Sequence, residues 1–225
     1  MKEKKIRKTK IIYLIALLFA ILTKAQTTVP DVEMVFVEGK DDIQNFYIGK
    51  FEVTQGQWIA VMGNNPSHFK NGDNYPVEMV SWDDVQEFIR KLNEATGKNY
   101  RLPTTKEFIF AARGGNKSSG FVYSGSNNLD DVAWHEGNSE EKTHPVGVKA
   151  PNELGIYDIC GNVYEWCADI ALKASSDFAP GIEDKFRFHL GASYSHKIQE
   201  TWLSVFAGIT SNSRMKTCGF RLAHP

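Results

Sequence analysis

The run at residues 157–169, YDICGNVYEWCAD, limits the choice of folds more than any other part of the chain. It places the carboxylates of Asp158 and Glu165, the thiols of Cys160 and Cys167 and three aromatic rings in one short stretch. Such a run is compatible with a metal-binding loop, a disulfide, a redox site or a packed turn. The class of protein depends on which of these it is.

The first 25 residues are typical of a secretory signal peptide. Six of the first ten residues are basic, the apolar run IIYLIALLFAIL covers residues 11–22, and Thr-Lys-Ala precedes Gln26. We therefore predict cleavage after Ala25. Because a bilayer core of about 30 Å needs ~20 apolar residues, the 12-residue run disfavours a permanent anchor, and we expect no membrane span after cleavage.

The predicted mature chain, residues 26–225, is acidic. Removal of the first 25 residues leaves 19 basic and 26 acidic residues, a net charge of about −7. This balance argues against binding to nucleic acid or to anionic membranes. An apolar content of 42% suffices for one sizeable core, so we expect a single domain. Three cysteines cannot all pair within one chain, so the fold must depend mainly on packing.

Three segments carry helix signals. The segment VTQGQWIAVMG has Thr54 and Gln57 at capping-box spacing, and PTTKEFIFAARGG has Thr104 and Glu107 at the same spacing. The clearest is residues 81–97, SWDDVQEFIRKLNEATG, which begins with a serine cap and ends at a glycine. Its apolar residues with helical spacing, which we expect to be buried, are Val85, Phe88, Ile89 and Leu92.

Strand signals are short. The candidates are EMVFVEG, FYIGKFEVT, THPVGV and CGFRLA. The rest of the second half is rich in turn residues, as in GSNN, EGNSEE, PNELG and SNSRM. Long ordered loops need ions, aromatic plugs or dense side-chain hydrogen bonds to hold them, and YDICGNVYEWCAD offers all three.

Four blocks of sequence, taken in order, closely resemble the sulfatase-modifying-factor domain, the family of formylglycine-generating enzyme. The blocks are IGKFEVTQGQW (48–58), PVEMVSWDDVQEFIRKLNEATGKNYRLPTTKEFIFAARGG (76–115), THPVGVKAPNELGIYDICGNVYEWCAD (143–169), and GAS (191–193) with GFRLA (219–223). The resemblance covers nearly all of residues 26–225. It implies an α+β fold, a variant of the C-type-lectin fold with little regular secondary structure and bound calcium. Together with the signal peptide, it suggests a Gram-negative bacterium and a periplasmic, secreted or cell-surface protein.

The resemblance also implies how YDICGNVYEWCAD is used. In the matching family motif, calcium is held by a side chain at the position of Asp158, by the carbonyls at Gly161 and Val163, and by the carboxylate of Glu165. Calcium takes six to eight hard oxygen ligands and accepts carbonyls as readily as carboxylates. The alternative is that Glu165 accepts backbone hydrogen bonds and Trp166 fills the core. We predict structural calcium at these four residues.

The cysteines are interpreted as packing residues. Cys160 and Cys167 occupy positions where relatives carry Val and Thr, and Cys218 stands where Leu is common. A buried free cysteine behaves as a small apolar residue. A Cys160–Cys167 disulfide is the alternative, and it requires a Cα separation below about 7 Å.

The family's catalytic pair is absent. Formylglycine formation uses two cysteines that bind copper(I) as thiolates and lie five residues apart after an Arg-Gly-Gly-Ser motif. In LGASYSHKIQETW, Leu190 replaces the arginine and Ala192 the second glycine, and the two cysteine positions fall at His196 and Thr201. We therefore expect no copper site and assign no catalytic residue.

A groove of aromatic and small polar side chains remains as a candidate binding site. Its proposed members, near the position of the ancestral pocket, are Tyr164, Ser193, Tyr194, His196 and Trp202. Such a mixture suits contact with a peptide or a glycan. A relic site explains the same residues equally well, and a lone histidine is more often a hydrogen-bonded loop residue than a catalytic one.

These observations favour a non-catalytic binding or structural module over an enzyme. Its partner would be a peptide, a glycan or an envelope protein. The alternative is a formylglycine-generating or other oxidoreductase with an altered site. A scaffold subunit of an envelope assembly is a third interpretation, for which we expect a large exposed apolar patch.

Overall fold

The computed structural model describes residues 30–171, 186–199, 203 and 207–225. The predicted signal peptide, Thr201 and Trp202 lie outside the described residues. Within the described ranges, no helix has both the length and the hydropathy that crossing a bilayer requires.

The three predicted helices form after the predicted capping residues, and the cap at Ser81 also proves to be a capping box. They are α1 (Gln55–Met62), α2 (Trp82–Thr96) and α3 (Thr105–Ala112). Each begins after a Ser or Thr whose side chain accepts a hydrogen bond from the N3 amide, while the N3 side chain accepts one from the cap amide. The four apolar residues predicted for the buried face of α2 are all buried. A short helix, α4 (Leu129–Val132), was not predicted.

Among the described residues, seven short strands form two sheets. The first sheet has the order β1–β2–β7 and consists of β1 (Met34–Val37), β2 (Phe46–Gly49) and β7 (Ala223–His224), all antiparallel. The second has the order β5–β4–β3–β6 and consists of β3 (Tyr164–Ile170), β4 (Phe186–Leu190), β5 (Ala207–Thr210) and β6 (Cys218–Gly219). In this sheet β3 is antiparallel to β4 and parallel to β6.

Several strand predictions need correction. The segment THPVGV forms turns and coil, not a strand, and the strand predicted in FYIGKFEVT ends at Gly49. The CGFRLA segment holds only the two-residue strand β6 and the first residue of β7. In addition, the second half of YDICGNVYEWCAD is the inner strand β3, although this stretch was predicted to be a loop.

Strand β3 lies between two groups of buried apolar side chains. Because alternate residues of a strand point to opposite faces, Trp166 packs into one group, with α2, and Cys167 into the other, with α3. The Trp166 indole N–H donates to the carbonyl of Val80, so the buried ring also has its polar atom satisfied. Strand β3 is therefore anchored by buried side chains on both of its faces.

Candidate functional site

The turn that leads into β3 has an unusual backbone. Asp158 and Asn162 have φ values of 54° and 55°, a left-handed conformation that Asp and Asn tolerate better than most side chains. Gly161 has a φ of 102°, and a Cβ at this position would lie 2.5 Å from the carbonyl oxygen of Trp134. The turn therefore needs glycine here for both its conformation and its close approach to residue 134.

Asn162 joins three loops to this turn. Its backbone N–H donates to the Trp134 carbonyl at 2.9 Å, and its own carbonyl accepts from the Tyr194 N–H at 2.7 Å. Its side-chain amide donates to Glu52 at 2.7 Å and exchanges hydrogen bonds with the backbone of His144. A fully buried asparagine with this many partners fixes the relative positions of the loops.

Glu165 and Arg221 form an ion pair inside the protein. Arg221 Nε and Nη2 donate to the two Glu165 oxygens at 2.6 and 2.7 Å, and neither side chain is more than 1% exposed. Arg221 also donates to the carbonyls of Gly49 and Tyr157, both at 3.0 Å. The guanidinium thus connects β2, the turn before β3, and β3 itself.

Two further carboxyl groups are buried beside this pair. Glu52 accepts hydrogen bonds from Asn162 and from the Val163 amide, and Asp158 Oδ2 accepts one from the Gly147 amide at 2.6 Å. Burial raises the pKa of Asp158 to about 6 and that of Glu52 well above its usual value. With three carboxyl groups and one guanidinium, the cluster holds excess negative charge unless it takes up protons or a cation.

The predicted calcium ligands Asp158 and Glu165 differ in whether their oxygens already have hydrogen-bond partners. Asp158 Oδ1 is buried and has no hydrogen-bond partner among the described residues, so it is suited to a cation. Both Glu165 oxygens already bond Arg221, and calcium would have to share them. The described part of the chain has no group of three or more His, Cys, Asp or Glu side chains that could hold a metal ion. Calcium binding through Asp158, Gly161, Val163 and Glu165 remains a prediction.

The proposed groove residues come together only in part. The His196 ring lies edge-on to the Tyr164 ring, with centroids 4.9 Å apart, and His196 Nδ1 is 3.1 Å from Ser193 Oγ. Ser193 and Tyr194 are buried, and the Tyr194 ring packs edge-on against Phe69 at 5.4 Å. Tyr164, Ser193 and His196 therefore form one cluster, while Tyr194 packs beneath it.

Sequence reasoning missed three residues around the site. The buried His189, on the unpredicted strand β4, lies edge-on to Tyr164 at 5.0 Å. Glu52 and Arg221 belong to the charge cluster, and neither was identified. A signal for Arg221 existed, because an arginine within the otherwise apolar GFRLA segment needs a buried partner. Glu52 had no comparable signal.

The three cysteines lie in the core. Cys160, Cys167 and Cys218 are free and buried, so the alternative of a Cys160–Cys167 disulfide is not found. Burial raises the pKa of all three thiols, which keeps them protonated at neutral pH. They have the packing role that the sequence suggested.

Comparison with known proteins gives a family. Residues 23–225 match the family model described as sulfatase-modifying factor enzyme 1-like domain. The chain is 39% identical over 216 residues to the protein named chaperone protein LppX of Paenibacillus barcinonensis, covering 68% of this chain and 76% of that protein. It is 32% identical over 161 residues to the inactive C-alpha-formylglycine-generating enzyme 2 of Bos taurus, covering 66% of this chain and half of that protein.

Comparison with solved structures supports the same fold. Treponema denticola variable protein 1 superposes with a TM-score of 0.71 at 29% sequence identity. The match covers 86% of this chain and 92% of that structure. The predicted α+β fold, a C-type-lectin-like variant, is confirmed.

Proposed function

Because the chain belongs to the sulfatase-modifying-factor family, we propose that it is an exported, non-catalytic member that binds a polypeptide partner. One observation carries the non-catalytic part. The positions that match the family's two cysteines hold His196 and Thr201, and the chain's three cysteines are buried in the core. A copper(I) site needs soft thiolate ligands, and neither position supplies sulfur.

Two further observations favour a polypeptide as the partner. The Paenibacillus relative is named a chaperone, which favours a polypeptide over a glycan. The ring of the half-buried Tyr164 lies edge-on to the ring of the exposed His196, and such aromatic surface suits peptide contact. Export rests on the signal-like residues 1–25.

The catalytic test is a peptide assay. Purified protein is incubated with copper, oxygen and a peptide that has the Cys-x-Pro-x-Arg pattern. The mass of the peptide is then measured by mass spectrometry. We expect no formylglycine above a no-enzyme control. We also expect none after His196→Cys with Thr201→Cys, because Leu190 and Ala192 still depart from the family motif. Aldehyde formation by the wild-type protein would overturn the proposal.

The binding test uses a defined client. Fluorescence anisotropy of a labelled, reduced and carboxymethylated α-lactalbumin should show saturable binding. The double variant Tyr164→Ala with His196→Ala should weaken it at least several-fold, while Glu38→Gln, an exposed control, should not. Binding of a glycan but not of this polypeptide would contradict the proposed partner. Mass spectrometry of the exported protein should give a chain that begins at Gln26.

A further inference from the structure

Glu78 is a buried acid that the site described above does not use. Its side chain is fully buried, and its Oε1 accepts a hydrogen bond from the Phe69 amide at 2.7 Å. Its own amide donates to Ser67 Oγ at 3.3 Å. Its other oxygen, Oε2, has no hydrogen-bond partner within the part of the chain that the structure describes. Glu78 therefore holds the loop at residues 67–69, and one buried oxygen is left unsatisfied.

Phe69 connects this loop to the candidate groove. Its ring meets the buried Tyr194 ring edge-on at 5.4 Å. The adjacent Ser193 bonds His196, which in turn contacts Tyr164. The Phe69 residue therefore links Glu78, through its amide, to the residues of the groove, through its ring.

The surroundings of Glu78 contain little compensating charge. Lys216, from the segment before β6, attracts the carboxylate, and the Phe69 and His68 amides favour its charged form. Burial outweighs these effects and raises the pKa of Glu78 to about 7. Tyr194 lies on the other side of the Phe69 ring. Burial raises the pKa of Tyr194 to about 12, with help from the negative charges of Glu78 and Glu141, so the phenol stays neutral.

The backbone beside Glu78 is also strained. Met79 has a φ of 59°, in the left-handed region that a methionine seldom adopts. Such residues are energetically unfavourable and persist where the surroundings hold them in place. Here the Met79 amide is held by the carbonyl of Met215, next to Lys216.

We propose that Glu78 is a proton-dependent latch on the groove: its neutral carboxyl keeps the loop at residues 67–69 and the Phe69 ring closed against Tyr194, and its ionisation favours opening. The inference rests on the proposed binding function and names a regulation of that same site. Glu78 acts as a positioning residue, through Phe69, and touches no partner itself.

The direction follows from linkage. In the open loop Glu78 meets water and returns to its ordinary pKa of 4.5, whereas in the closed loop its pKa is about 7. The closed state binds the proton more tightly, so opening becomes easier as the pH rises from about 4.5 to 7 and changes little above that. The opening equilibrium should shift roughly 10- to 100-fold between pH 5 and 8.

Amide hydrogen exchange of the full-length protein without ligand tests the latch. Exchange rates of the His68 and Phe69 amides, divided by the intrinsic rates at each pH, should rise roughly 10- to 100-fold from pH 5 to 8. Glu78→Gln keeps the shape and the acceptor but removes the charge, and should make the corrected rates independent of pH. Glu136→Gln, an exposed control, should behave as wild type. Flat wild-type rates, or an unchanged pH dependence in Glu78→Gln, would overturn the latch.

A second measurement needs no variant. Carbon-13 NMR titration of the Glu78 carboxyl in wild-type protein should give an apparent pKa near 7, and a value below 5 would overturn the proposal. Neither experiment involves a polypeptide client. The latch can therefore fail while client binding holds, and client binding can fail while the latch holds.

Discussion

At the scale of single residues, Arg221 has the most demanding environment. It is fully buried, its guanidinium bonds both Glu165 oxygens, and it donates to two backbone carbonyls. An exposed ion pair elsewhere in the chain has similar geometry, because Arg214 Nε and Nη2 each bond Asp84 at 2.7 Å. The two arginines therefore separate the effect of burial from that of pairing.

Arg221→Met should destabilise the protein far more than Arg214→Met. The first change leaves Glu165 as a buried charge without its partner and should cost about 3–5 kcal/mol in the free energy of unfolding. The second removes a solvent-exposed pair and should cost less than about 1 kcal/mol. Urea denaturation of both variants measures the difference. Equal losses would show that the buried pair is not a major stabilising contact.

At the scale of elements, the helices depend on local signals. In α2, the Ser81 hydroxyl accepts from the Asp84 amide at 3.1 Å, and Asp84 accepts from the Ser81 amide at 2.9 Å. Ser81→Ala removes one of these bonds and should lower the free energy of unfolding by about 1 kcal/mol. Ser119→Ala, at an exposed position outside the helices, should change it by less than about 0.5 kcal/mol. The cap would be unimportant if both variants unfolded at the wild-type urea concentration.

The same locality explains which elements could be predicted. Capping boxes and helical spacing lie within a few residues, so α1, α2 and α3 were predicted from their own segments. Strand β3 is paired with residues 187–190 and 218–219, which lie far away in the sequence. Its side chains are buried on both faces of the sheet, in two different cores. The sequence of β3 therefore lacks the polar–apolar alternation that is typical of a half-buried strand. Only half of the buried charge cluster of Glu52, Asp158, Glu165 and Arg221 was predicted, because its members come from segments that lie far apart in the sequence. Asp158 and Glu165 lie in one motif, whereas Glu52 and Arg221 come from distant ones.

At the scale of the whole molecule, calcium binding would link the central turn to global stability. An ion that binds only the folded state adds RT ln(1 + [L]/Kd), or about 2.7 kcal/mol when calcium is present at 100 times Kd. We expect a higher melting temperature in calcium than in chelator, and Asp158→Asn should remove most of that difference. Asp130→Asn, an exposed carboxylate outside the predicted site, is the control. Identical melting of wild-type protein in calcium and in chelator would show that the prediction is wrong.

The buried acids also determine how stability depends on pH. Glu78 and Asp158 have folded-state pKa values of about 7 and about 6, both raised by burial above 4.5 and 3.8. For such groups the stabilisation is complete below the unfolded-state pKa and is lost as the pH rises through the folded-state value. Asp84 and Glu107 have lowered pKa values, so their contribution is lost only as the pH falls below about 4.

The free energy of unfolding should therefore be highest in mildly acidic solution and fall by a few kcal/mol between pH 5 and 8. Urea denaturation at unit pH steps, in chelator so that calcium does not contribute, measures this slope. The double variant Glu78→Gln with Asp158→Asn should reduce this slope, because neither amide titrates, while the buried Glu52 still contributes. Asp130→Asn with Glu136→Gln, two exposed changes, should leave it as in wild type. A wild-type stability that rises from pH 5 to 8 would mean that these two acids are already ionised in the folded protein at pH 5, with their charges compensated by groups other than bound protons.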